Sequence, residues 1–273
     1  MTPEEFENLC ADYLQKTYQD TGCTFTPIGG SDSSSPDIIV KKNNKVLFSI
    51  ETKEPQAQCG QFVVFPDYDN KSFFYSEANR PPEPSAASTA IIDKMTEDFE
   101  HCKTPSAREL GFDTKLYYDR IVDYYKNYKN SLFFITREKT ESGDFILFPT
   151  DRISSYFSVT ACYRKKKSGS HNPNKREIAD LNNLLPSTFV DHYQVEKDGK
   201  YTNVLMDLDI QEPFIRESSY RAMFRPIDRG KYRMTVLGTT ENPNVIFTIK
   251  LFSAQDPQDI EVFLNELTKE DDE

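Results

Sequence analysis

Residues 36–53, PDIIVKKNNKVLFSIETK, decide how the chain is read. Two runs of apolar, β-branched residues flank Asn43 and Asn44, the pattern of a β-hairpin. In VLFSIETK the side chains alternate, so Leu47, Ser49, Glu51 and Lys53 share one face and Val46, Phe48, Ile50 and Thr52 the other, which is taken as the core side. Asp37 opens the partner strand. Charge among so many apolar neighbours is costly unless something offsets it. A tight Asn43-Asn44 turn puts Asp37 opposite Ile50, on the wrong face. A three-residue Asn43-Asn44-Lys45 loop, or an equivalent bulge, brings it opposite Glu51. The ordinary alternative is a solvated strand face carrying a Glu–Lys pair.

Two carboxylates at that separation repel each other unless a cation lies between them. Their hard oxygens, with the backbone carbonyl of Thr52, suit Mg²⁺, with Mn²⁺ as a substitute. Such an ion acidifies a bound water and neutralises charge developing on phosphorus. Lys53 is placed to orient or help deprotonate that water. The residues together outline a phosphodiester hydrolase.

Pro36-Asp37 followed by Glu51-Thr52-Lys53 resembles the PD-(D/E)xK nuclease superfamily, and type II restriction endonucleases within it. The loop GGSDSSSPDI and the opening EEFENL are similar to the corresponding parts of archaeal Holliday-junction resolvases. That resemblance implies a glutamate on the first helix that assists the metal, here Glu7 rather than Glu5, and a glutamine after the lysine, Gln61 in preference to Gln58. It implies DNA contacts from Ser31 and Ser33. The likeness spans roughly residues 4–65 and extends to SLFFIT, 131–136.

Outward from the hairpin, Thr2, Pro3 and Glu5 form a capping box that starts a helix over 2–18. Helices are expected at about 86–102, 114–129, 174–184 and 256–268, with strands at 131–136 and 145–149. From about 187 the pattern is mainly strand and turn. The fold class is α/β (α+β): a restriction-endonuclease-like core with a mixed central sheet flanked by helices, and a strand-rich C-terminal part. The expected division is a nuclease core over 1–160, with a helical insertion at about 80–130, and a strand-rich recognition or dimerisation part over 161–273 packed on the same core.

The chain of 273 residues carries 44 acidic against 33 basic side chains, net −11, which by itself disfavours a phosphate partner. Local field matters more than the sum. One stretch, 162–176, concentrates Arg164, Lys165, Lys166, Lys167, Lys175 and Arg176 without an acid. It is expected to neutralise DNA phosphates, with Ser168 and Ser170 as hydroxyl donors and His171, Asn172 and Asn174 able to reach base edges. A solvated loop is the plain alternative. Five scattered cysteines without CxxC spacing argue for a reducing compartment and against a zinc knuckle. Neither a signal peptide nor an apolar run of about 18 residues is visible. The expectation is a prokaryotic cytoplasmic enzyme that cuts double-stranded DNA, acts as a homodimer, touches no membrane and is accompanied by a separate methyltransferase. A junction-resolving or repair nuclease, or a non-catalytic DNA-binding module on the same fold, are the alternatives.

Overall fold

The capping box of the first helix is formed: Thr2 Oγ1 accepts from the Glu5 N–H at 3.2 Å, and Glu5 Oε2 accepts from the Thr2 N–H at 2.6 Å. The computed structural model describes residues 2–28, 35–106, 108–138, 143–165, 170–185, 193–199, 201–238 and 242–269. In chain order these form α1 (Pro3–Thr17), β1 (Cys23–Pro27), β2 (Ile38–Lys42), β3 (Lys45–Thr52), β4 (Gln56–Asp67), β5 (Ser72–Tyr75), α2 (Ala86–Glu97), α3 (Phe99–Cys102) and α4 (Thr114–Val122). A π-helical turn, Asp123–Tyr128, extends α4 and leads into β6 (Ser131–Arg137), β7 (Phe145–Pro149), α5 (Ile153–Tyr156) and β8 (Phe157–Lys165). There follow α6 (Lys175–Ala179), α7 (Leu181–Leu184), β9 (Tyr193–Asp198), β10 (Tyr201–Met206), β11 (Phe214–Glu217), β12 (Arg221–Asp228), β13 (Lys231–Leu237), β14 (Pro243–Leu251) and α8 (Pro257–Thr268).

These elements make two units, Met1–Lys165 with Pro243–Glu273, and Lys166–Asn242. The first holds a five-stranded mixed sheet, β1-β2-β3-β6-β7, in which β3 and β6 run parallel and the other neighbours antiparallel. The helices α1 and α8 cover one face, burying Phe6, Leu14, Phe48, Phe133 and Phe263 together. Phe263 meets Phe133 and Tyr18 edge-on at 4.9 and 5.0 Å. Fully burying one such ring is worth about 2–3 kcal/mol. On the other face, Phe134 and Phe148 join a core shared with α2, α4 and a four-stranded antiparallel sheet, β5-β4-β14-β8.

The expected boundary at 160/161 lies instead at 165/166, and residues 243–273 return to the first unit. The reason is visible in β14, where Pro243 to Phe247 are all buried and the strand pairs with β4 on one side and β8 on the other. A strand apolar on both faces needs cover on both. The helices within 80–130 are not an appendage either, because Ile91, Met95, Tyr117 and Ile121 line the main core.

The second unit is a five-stranded antiparallel sheet, β11-β12-β13-β10-β9, with its own core of Leu181, Leu184, Val204, Phe224 and Met234. All five cysteines are free thiols. Among the described residues, no helix is long and apolar enough to cross a membrane.

Candidate functional site

The hairpin closes through a two-residue turn rather than three: Lys42 pairs with Lys45, while Asn43 and Asn44 take left-handed φ values of 50° and 65°. Asparagine tolerates that region better than most residues. The extra residue enters inside the strand. Val40 pairs with Phe48 and Lys41 with Val46, leaving Leu47 as a bulge. Beyond it Ile38 pairs with Ile50, so Asp37, the next residue, comes level with Glu51. Thr52 confirms the proximity, donating its N–H and hydroxyl to Asp37 Oδ2 at 2.8 and 3.0 Å.

The bulge turns Val46 outward, and the face of β3 expected to be open is covered. Val46, expected inside, is 50 % exposed, while Ser49 and Glu51, expected on an open face, are buried. That face is covered by the turn that extends α4. Lys129 N–H donates to the Tyr124 carbonyl at 3.0 Å, and Asn130 follows with φ 54°. Ser49 then pins the segment to β3, its hydroxyl donating to the Asn130 carbonyl at 2.7 Å and its N–H to the same oxygen at 3.2 Å.

The result is a buried ionic cluster. Glu51, only 2 % exposed, receives Lys53 Nζ on Oε1 at 2.5 Å and Lys129 Nζ on Oε2 at 2.7 Å. Lys129 Nζ also stands 3.8 Å from Asp37 Oδ1. Both ammonium nitrogens lie 5.2 Å from the centre of the Tyr125 ring, close enough for cation–π attraction. Burial pushes the Glu51 carboxyl up from its ordinary range, Lys53 and Lys129 pull it down, and Asp37 adds to the rise. Burial works against the charge on Lys53, but Glu51 and Asp37 outweigh it and hold the ammonium well above its usual range.

Glu7 on α1 feels the same field. Burial first, then the charges of Asp37 and Glu51, push its carboxyl up to about 7. Glu5 is spent on the helix cap and is held low by that hydrogen bonding. Of the two glutamates, Glu7 is the one coupled to the cluster.

Gln61 is not brought there. A bulge at Cys59 and Gly60 turns Cys59 and Phe62 inward, and Gln58 Nε2 donates to Gln61 Oε1 at 2.8 Å on the other face. The β4 residue that faces the cluster is Cys59, whose thiol is pushed up to about 12 by burial and is coupled to Lys53 and hydrogen-bonded to Tyr125. Lys129, Tyr125 and Cys59 are what the sequence reading missed. The one local signal was a lysine just before the buried strand SLFFIT.

The basic stretch is split between the units. Arg164 and Lys165 are exposed at the end of β8. Ser31, Ser33, Lys166, Lys167 and Ser168 lie outside the described residues. Ser170, His171, Asn172 and Lys175 are exposed in the second unit. His171 Nε2 meets Glu177 Oε1 at 2.9 Å, and His171 also exchanges backbone bonds with Val236 at 2.9 Å each way. Asn174, expected to reach bases, caps α6 by accepting from the N–H groups of Arg176 and Glu177 at 2.9 and 3.0 Å. The cap occupies the Asn174 amide oxygen.

Among the described residues, no group of three or more His, Cys, Asp or Glu converges. The protein offers one cation two carboxylates, and the Lys129 ammonium already lies within 4 Å of both. Hard oxygen donors in that number fit Mg²⁺, which completes its shell with water and substrate oxygens.

The mixed sheet flanked by helices is that of a restriction-endonuclease-like fold. No protein-family model matches the chain, and no curated protein does. Among solved structures, HhaI endonuclease in complex with DNA matches with a TM-score of 0.81 and 31 % sequence identity, covering 98 % of this chain and 100 % of that one. The chain belongs to the endonuclease family of HhaI endonuclease.

Proposed function

We propose that this chain is a Mg²⁺-dependent endodeoxyribonuclease of the PD-(D/E)xK kind, a type II restriction enzyme that cuts double-stranded DNA at a specific sequence. The observation that carries this reading is the convergence of Asp37, Glu51 and Lys53 on one face of the β2–β3 ribbon, produced by the Leu47 bulge. Membership of the HhaI endonuclease family supports it, since that enzyme is seen with DNA.

Asp37 and Glu51, with the Thr52 carbonyl, would hold the metal. When bound, the ion supplies an acidified water and offsets charge on the phosphorus. Thr52 fixes the orientation of Asp37 through its two bonds to Oδ2. Lys53, held beside Glu51, is placed to orient or help deprotonate the attacking water and to screen the phosphate. Glu7, on α1 and within the field of Asp37 and Glu51, would assist the metal from that side. Arg164, Lys165 and Lys175, with the neighbouring polar side chains, neutralise phosphates along the duplex. Two copies related by a two-fold axis cut the two strands of a palindromic site, and a separate methyltransferase protects the host copy of that site.

Purified protein incubated with plasmid and Mg²⁺ should yield a fixed set of fragments, and none in chelator. Cutting confined to branched DNA, or an untouched plasmid, would overturn the assignment.

A further inference from the structure

The four carboxylate oxygens of the cluster are shared out in a particular way. Thr52 takes Oδ2 of Asp37 and Lys53 takes Oε1 of Glu51. The remaining pair, Oδ1 of Asp37 and Oε2 of Glu51, both face Lys129 Nζ, at 3.8 and 2.7 Å. These are the oxygens through which a bridging cation would be held. Lys129 therefore stands on the metal's own ligands.

We propose that Lys129 is a built-in counter-ion that competes with a divalent cation for Asp37 and Glu51, so that the protein alone binds the cation weakly and substrate phosphate, by drawing the ammonium away, strengthens that binding. The proposal rests on the metal reading above and deepens it. Lys129 acts on the ion only through the two carboxylates, so it is a positioning residue.

Its placement is built rather than incidental. The side chain is only 4 % exposed, and burying an ammonium is costly unless it is paired. The backbone beneath it is held by the Tyr124 carbonyl and, through Asn130, by Ser49, two positions before Glu51. Asp37 and Glu51 are balanced by Lys53 and Lys129, so the four groups sum to zero when all are charged. A divalent ion added to that set meets two like charges at short range in a poorly solvated place. A phosphate carries the opposite charge and offers the Lys129 ammonium another partner. By linkage, whatever draws the ammonium off Glu51 favours the metal, and the metal in turn favours the phosphate.

The test titrates Ca²⁺ calorimetrically into wild type, Lys129→Met and Lys129→Arg, each shown folded by circular dichroism. The titrations are run at about pH 8.5, above the Glu7 range, so that protons do not compete. Lys129→Met should bind Ca²⁺ about tenfold more tightly or better, Lys129→Arg no more tightly than wild type. A short DNA duplex should tighten Ca²⁺ binding by wild type more than by Lys129→Met. Should the Met variant not fold, Lys129→Gln carries the same expectation. Binding by the uncharged variant that is equal to or weaker than wild type overturns the counter-ion role and leaves the metal reading standing. Ca²⁺ binding absent from every variant overturns both.

Discussion

Thr52 holds Asp37 by a single oxygen, giving Oδ2 both its backbone N–H and its hydroxyl and leaving Oδ1 turned toward Lys129. Thr52→Val keeps the N–H bond and the shape but removes the second anchor. Single-turnover cleavage should slow by about tenfold, with DNA affinity unchanged. Asp37→Asn, which keeps the acceptor for Thr52 but lowers the ligand charge, should lose about a thousandfold or more in rate while still shifting DNA in a gel. Full activity in Asp37→Asn would remove Asp37 from the site.

The bulge makes a distinctive prediction about the length of β3. Deleting Leu47 regularises the ribbon and keeps Ile38 opposite Ile50, so cleavage should persist within a few-fold. An alanine inserted between Ser49 and Ile50 instead moves Asp37 opposite Ile50 and should abolish cleavage. The opposite pattern of activities would contradict the register.

Glu7 ties stability to pH. Its carboxyl ionises at about 7 in the folded chain against an ordinary 4.5. The native state therefore holds this proton more tightly than the unfolded one. The group's contribution is fully present below about pH 4.5 and is lost as pH rises through 7. Glu7→Gln cannot lose it. Relative to wild type the variant should be more stable at about pH 8, by about 1 kcal/mol after allowance for solvent screening, and should match it near pH 4. Thermal unfolding across that range checks the sign. Parallel curves for the two proteins would show that Glu7 is not perturbed.

Asp259 fastens α8 to the first unit from a site of 0 % exposure. It accepts from Arg152 Nη1 at 2.6 Å and from the Tyr156 hydroxyl. Asp259→Ala leaves the buried Tyr156 hydroxyl without its acceptor, while Arg152 keeps its pair with Asp256 at 3.0 Å, and should cost about 2 kcal/mol in urea unfolding. The acid–lysine cluster is untouched, so the folded fraction should retain the wild-type cleavage rate.

What could be read from the sequence was local. The α1 capping box depends on residues three apart, and the β2–β3 pairing on alternation around Asn43 and Asn44. Asp37 and Glu51 converge for reasons contained in one hairpin, although a bulge, not a longer loop, supplies the shift. Lys129 was invisible because it meets Glu51 across 78 positions, through a parallel pairing of β3 with β6 that alternation cannot reveal. Gln61 faces away from the cluster because of a bulge at Gly60, where φ is 88°, and nothing in its neighbours announces it. The return of β14 was hidden likewise: a buried central strand and a buried strand of a separate domain have the same composition.

Lys165, where the chain leaves the first unit, is paired directly with Pro243, where it comes back. The second unit thus hangs from one doorway whose two posts already stand in register. Descendants of such a chain can lengthen, trade or recast everything beyond that threshold without asking the strands beneath it to move. Divergence in this lineage should accordingly be fast on the far side of the doorway and slow on the near side.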